Sequence, residues 1–144
     1  MANQKQLDDV YMGTAMLHAK LSHSRRTQVG AVLVTNQGIT ITGYNGSHVG
    51  ASNVLETTLE DGTLVTNPST IHAEANIILK AAREGVSVLG STLYLTLSPC
   101  ELCSAMIVQA GIKRLVYNDT YRDISGLNLI KDSGMVNLEK YTLT

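Results

Sequence analysis

Apolar positions along the chain change their spacing several times, and each change marks a predicted element. Over residues 6–22, Leu7, Val10, Tyr11, Ala15 and Leu17 recur at near-helical intervals, which predicts an amphipathic first helix. Residues 29–34 and 39–44 are β-rich runs separated by Thr35-Asn36-Gln37-Gly38, the pattern of a hairpin. From 45 to 70 the composition turns to Gly, Ser, Asn and Thr, with a turn at Glu60-Asp61-Gly62 and a proline, Pro68, that delays the next helix. Irregular stretches of that length in a compact domain usually serve function or are disordered. Residues 71–83 return to helical spacing and stop at Glu84-Gly85; 92–97 alternate as a strand; 100–110 read as a helix stopped by Gly111. A strand over 113–117 and a helix over 123–133, stopped by Gly134, complete the pattern. The succession β-β-α-β-α-β-α predicts an α/β fold, a mixed sheet covered by helices on both faces with right-handed crossovers.

Composition narrows the picture. The 144 residues suit a single domain, 1–144, with no internal repeat or low-complexity segment. Lys plus Arg number 11 and Asp plus Glu 12, so the net charge of −1 offers no field to gather a long polyanion, and no nucleic-acid polymer is expected as a partner. The local basic pair Arg25-Arg26 reads on charge alone as solvated loop residues. With no Trp or Phe, the six tyrosines are the aromatic groups on which a base could stack. No signal peptide or long apolar run is present, so the expectation is a soluble, cytoplasmic protein (host cytoplasm if viral) with no membrane partner.

The candidate chemistry lies in two segments, His72-Ala73-Glu74 and Pro99-Cys100-Glu101-Leu102-Cys103. Zinc takes imidazole and thiolate ligands tetrahedrally, and a catalytic site supplies three of them and leaves the fourth position open. His72, Cys100 and Cys103 are three such ligands, and a structural site would need a fourth that only the well-separated His18, His23 or His48 could provide. H-x-E followed by P-C-x-x-C is the signature of zinc nucleobase deaminases, in which the glutamate, here Glu74, moves protons and does not bind the metal. His72 and Cys100 fall at the predicted starts of two helices, with Cys103 one turn on, so helix dipole and metal both favour the thiolates. Asn45 reads by local rules as a turn residue. His48, in the Gly-rich loop, touches either substrate or solvent.

Taken with Gly43-Tyr44-Asn45-Gly46, Val29-Gly30-Ala31-Val32, Thr96-Leu97-Ser98-Pro99-Cys100 and Tyr121-Arg122-Asp123, these segments make nearly the whole chain resemble the deoxycytidylate (dCMP) deaminases of the cytidine deaminase superfamily, in a compact viral or bacterial form. The resemblance implies a three-layer α/β/α fold around a mixed sheet of about five strands. It implies hydrolytic deamination of dCMP to dUMP and ammonia, supplying dUMP for thymidylate synthesis, with water activated on Zn2+. It places Asn45 against the deoxyribose, the backbone around Ala73 and Ser98 about the pyrimidine, and Arg26 and Tyr121 toward the phosphate or ring. It also implies a homo-oligomer, a hexamer favoured, with dCTP and dTTP as effectors in regulated members. Relatives with a second, structural zinc use additional Cys and His that this chain lacks, so one zinc per chain is expected, and His48 stands where the family often has proline. Deamination of dCTP or of free (deoxy)cytidine, and a non-catalytic nucleotide-binding regulator, remain open alternatives.

Overall fold

The computed structural model describes residues 1–143. In chain order the elements are α1 (Gln4–Ala19), β1 (Gly30–Val34), β2 (Thr40–Tyr44), β3 (Glu56–Thr58), β4 (Leu64–Thr66), α2 (Ala73–Glu84), β5 (Thr92–Leu97), α3 (Glu101–Gln109), β6 (Arg114–Asp119), α4 (Ser125–Ser133) and β7 (Asn137–Lys140). Five strands form one mixed sheet in the order β2-β1-β5-β6-β7. β1 is antiparallel to both β2 and β5, while β5, β6 and β7 run parallel.

Side chains alternate across the sheet, as the strand period of two requires. Ala31, Leu33, Leu93, Leu95 and Leu115 face Ile77 and Ala81 of α2, Ile107 of α3 and Ile130 of α4. Val32, Tyr94 and Val116 face the other way, onto Met12 and Ala15 of α1. The result is three layers, with α1 on one face and α2, α3 and α4 on the other. Strands buried on both faces read as continuous apolar runs, and β1, β5 and β6 do so. Gly30 is where α1 comes down on the sheet: a Cβ there would overlap the Ala15 carbonyl oxygen and stand 2.6 Å from the Ala19 nitrogen.

Several boundaries differ from the sequence reading. α1 runs over 4–19 and not 6–22. Asn3 Oδ1 accepts from Gln6 N at 2.9 Å and Gln6 Oε1 accepts from Asn3 N at 2.9 Å, a capping box that starts the helix early. It ends early because the N–H groups of Lys20, Leu21 and Ser22 turn back to carbonyls three residues behind. The 45–70 stretch contains a small antiparallel hairpin, β3–β4, around the expected turn. β6 extends two residues further than predicted, to Asp119, which pairs with Leu97. α4 starts at Ser125 and not at 123, and β7 is a strand that the sequence pattern did not mark. Pro99 lies just before Cys100, the α3 N-cap. Helices α2 and α4 stop at Gly85 and Gly134 as expected. Among the described residues no helix is long and apolar enough to cross a membrane.

Candidate active site

His72 and Cys100 are the N-cap residues of α2 and α3, both with extended backbone, at φ −68°, ψ 156° and φ −69°, ψ 171°. An extended N-cap directs its side chain off the helix start. His72 makes no side-chain capping bond, which leaves the imidazole free. Cys103 sits one turn into α3. The donor atoms of His72, Cys100 and Cys103 all lie within 4.8 Å of one another. His72 Nδ1 is 3.6 Å from Cys100 Sγ and 3.4 Å from Cys103 Sγ. A tetrahedral zinc, with Zn–S about 2.3 Å and Zn–N about 2.0–2.1 Å, separates nitrogen and sulfur ligands by about 3.5 Å. The donor set and its spacing therefore fit zinc, and among the described residues no fourth His, Cys, Asp or Glu joins the group.

The electrostatics of the bare donors point the same way. The Cys103 N–H donates to Cys100 Sγ at 3.5 Å at the positive end of α3. Hydrogen bonds from Cys103 and His72 pull the Cys100 thiol down to about 4 against its burial. Cys103 is pushed up, first by its contact with Cys100 and then by burial and the nearby Glu74 charge. The His72 imidazole is raised, chiefly by its hydrogen bond to Cys100. One thiolate, one thiol and an imidazole thus share protons that a bound cation would displace.

Glu74, in the first turn of α2, is only 4% exposed. Burial pushes its carboxyl up to about 7, against the opposing pull of its own backbone N–H and of His72. A carboxyl poised near neutrality can both take and give a proton at working pH. It opens, with His72, Ala73, Cys100, Asn45 and Ser98, onto a cleft of about 350 Å³ that Arg26 and Tyr121 also line. The structure thus brings together every site residue expected from sequence. Cys103 alone does not line the cleft; 2% exposed, it reaches the group through its sulfur.

The walls are tied by hydrogen bonds that the sequence does not display. Asn45 Oδ1 accepts from Val29 N and its Nδ2 donates to Thr27 O, both at 2.9 Å, so this buried amide clamps the entry to β1 while facing the cleft. Glu56 of β3 accepts from Ser24 Oγ at 3.0 Å and from Arg25 N at 2.9 Å, fixing the segment that carries Arg26. Arg26 Nη1 donates to Thr66 Oγ1 of β4 at 3.0 Å. The small hairpin is thus the support of the one predicted cation in the cleft. Ser98 Oγ accepts from Tyr121 N at 2.7 Å.

Sequence reasoning missed Arg122, Ser24 and Thr66, all of which line the cleft. For Arg122 the signal was adjacency to Tyr121; its guanidinium lies 5.7 Å from the Tyr121 ring centre. His48 lies elsewhere, in a second cleft of about 440 Å³ with His23, Lys80 and Arg83.

Residues 5–119 match the family model of the cytidine and deoxycytidylate deaminase zinc-binding region. The deoxycytidylate deaminase of Enterobacteria phage T4 is 37% identical over 131 residues, covering 65% of this chain and 68% of that one. The deoxycytidylate deaminase of Mycobacterium phage D29 is 36% identical over 120 residues, covering 76% of this chain and 92% of its own. A crystal structure of dCMP deaminase from cyanophage S-TIM5 in complex with dCMP and dUMP superposes with a TM-score of 0.87 at 39% identity, covering 97% of this chain and all of the other.

Proposed function

The chain belongs to the cytidine and deoxycytidylate deaminase family, and we propose that its reaction is the hydrolytic deamination of dCMP to dUMP and ammonia, a supply of dUMP for thymidylate synthesis. The observation that carries this reading is one cleft that joins the buried Glu74, the half-buried Cys100 and the exposed imidazole of His72, with Cys103 buried behind them, to the exposed Arg26. That arrangement suits a molecule with a reactive base at one end and a phosphate at the other. The S-TIM5 relative, solved with dCMP and dUMP, supports the same substrate.

One zinc ion per chain, held by His72 Nδ1 and the sulfurs of Cys100 and Cys103, would supply the Lewis acidity that brings ionisation of water into the neutral range. Glu74 takes a proton from the attacking water and gives it to N3 of cytosine as C4 is attacked. It then takes the second proton from the new hydroxyl and delivers it to the departing amino group, so that ammonia leaves and the carboxylate is regenerated. Asn45 donates one amide hydrogen to Thr27 O and has the other for the sugar hydroxyl. The backbone at Ala73 and Ser98 brackets the pyrimidine, and Arg26 and Tyr121 face the phosphate and ring.

In this reading the second cleft, with His23, His48, Lys80 and Arg83, takes a dCTP or dTTP effector. Assembly as a homo-oligomer, with a hexamer favoured, is supported by apolar side chains that α2 and α3 leave open, Leu79 at 56% and Leu102 at 71% exposure. The test is release of ammonia, with the deaminated product identified in each case, across dCMP, dCTP, deoxycytidine, cytidine and guanine. The expected result is dCMP turned over at least tenfold more efficiently than the rest. A clear preference for dCTP or a free nucleoside, or no turnover of any, would overturn the assignment.

A further inference from the structure

The segment that follows β6 carries Tyr121 and Arg122 along the cleft and then enters α4. It is fastened to the Ser98-Pro99-Cys100 segment at two points. The first is the hydrogen bond from Tyr121 N to Ser98 Oγ, 2.7 Å, made by a serine only 3% exposed. The second is a backbone contact at Gly126, in the first turn of α4. A Cβ at that position would overlap the Pro99 carbonyl oxygen and stand 2.7 Å from Ser104 Oγ and 2.8 Å from the carbonyl carbon of Cys100. Cβ atoms do not approach backbone this closely, so glycine is what lets α4 rest directly on the start of α3. Ser104 Oγ, fully buried at that contact, has no hydrogen-bond partner, so the interface is held by shape and the Ser98 bond.

Cys100 is the N-cap of α3: its carbonyl accepts the first helical bond, from Ser104 N at 2.9 Å, but its own N–H lies outside the ladder, so its position also depends on the path of residues 98–100. Ser98 N is held to Asp119 O at 2.8 Å, which ties the front of that path to the end of β6. From the α3 side Cys100 is held by Ser104 N on its carbonyl at 2.9 Å and by Cys103 N on its sulfur at 3.5 Å, and the α4 contact at Gly126 closes on the same backbone from the outside.

We propose that residues 121–126 are a brace that positions the Cys100 ligand, with Ser98 and Gly126 as its two fasteners, so that the Tyr121–Arg122 side of the cleft and the metal site are mechanically coupled. This rests on the assignment of Cys100 as a metal ligand. Coupling of this kind is reciprocal: whatever loosens the brace weakens the metal site, and loss of the metal loosens the brace. Gly126 and Ser98 act through Cys100 and are positioning residues.

The experiment loads the parent, Gly126→Ala, Ser98→Ala and Gly13→Ala with Co2+ and with Zn2+. Cobalt reports ligand geometry through its d–d absorption, and a competing chromophoric chelator reads zinc affinity. Gly13, inside α1, has nothing within 4 Å of an added Cβ and serves as the control. The expected result is a weakened, shifted cobalt spectrum and an at least tenfold loss of zinc affinity in Gly126→Ala, a smaller loss of the same kind in Ser98→Ala, and no change in Gly13→Ala. If Gly126→Ala does not fold, Ser98→Ala, which introduces no clash, decides alone. Parent-like spectra and affinity in the folded variants would overturn the brace while leaving the metal site standing. A parent that takes up neither ion would overturn the metal assignment and the brace with it.

Discussion

Nδ1 of His72 stands 3.4 Å from Sγ of Cys103, a residue 31 positions further along the chain. The contact joins the starts of α2 and α3, so an ion between them would link the two helices directly. Metal affinity at such a site is partly folding energy. Cys103→Ser is expected to lose both zinc and thermal stability, whereas the parent should hold one zinc per chain. Metal analysis showing two tightly held zincs in the parent, or full zinc in Cys103→Ser, would contradict this.

Arg26, the cation proposed for the phosphate, is set in place by Thr66 and, through Ser24 and Arg25, by Glu56. Charge-assisted bonds contribute about 1.5–3 kcal/mol, so Arg26→Ala should raise KM for dCMP by about ten- to a hundredfold. Deoxycytidine, which lacks the phosphate, should be processed almost unchanged. Equal losses on both substrates in steady-state kinetics would make Arg26 structural.

Asn45→Ala should cost stability as well as activity. The Val29 N–H and the Thr27 carbonyl would each lose a partner, and a buried polar group left unpaired costs about 1–3 kcal/mol. Urea unfolding measures the loss; an Asn45→Ala protein as stable as the parent would show that water replaces the clamp.

Asp8 of α1 binds Arg114 of β6 through two bonds, 2.9 and 2.7 Å, and accepts from Tyr94 Oη at 2.6 Å and from Gln4 Nε2 at 2.9 Å. Burial pushes the Asp8 carboxyl up, but these partners together bring it from the ordinary 3.8 down to about 2. A carboxyl lowered in the folded state contributes stability that is present above its unfolded value and lost as pH falls through its folded value. The window here is about pH 4 down to 2, and the contribution about 2 kcal/mol. Asp8→Asn should be less stable by about that amount at pH 7, with the gap closing by pH 2. A gap that persists unchanged at pH 2 would contradict the ion pair as its source.

How much of this was legible depended on whether a residue's role is written in local pattern or in tertiary contact. The central strands show as apolar runs because both their faces are buried, and His72, Glu74, Cys100 and Cys103 show because metal chemistry demands those residue types at those spacings. β7 did not show, since Asn137-Leu138-Glu139-Lys140 is a mostly exposed edge strand with one partly buried apolar side chain. β3 and β4 are three residues each and largely polar, stabilised by pairing and by the buried Glu56. The early start of α1 was readable in Asn3-x-x-Gln6, a capping box. Thr66 and Gly126 owe their importance to partners 40 and 27 residues away, Arg26 and Pro99, and no local pattern carries that.

Glu74→Gln tests the central claim most directly, because it keeps the shape of the side chain and removes only its ability to carry a proton. Zinc content and dCMP turnover should be measured on the same preparation. The predicted result is one zinc per chain with dCMP deamination reduced by about 10²- to 10⁴-fold; turnover near that of the parent, with zinc retained, would contradict Glu74 as the proton carrier and with it the proposed mechanism.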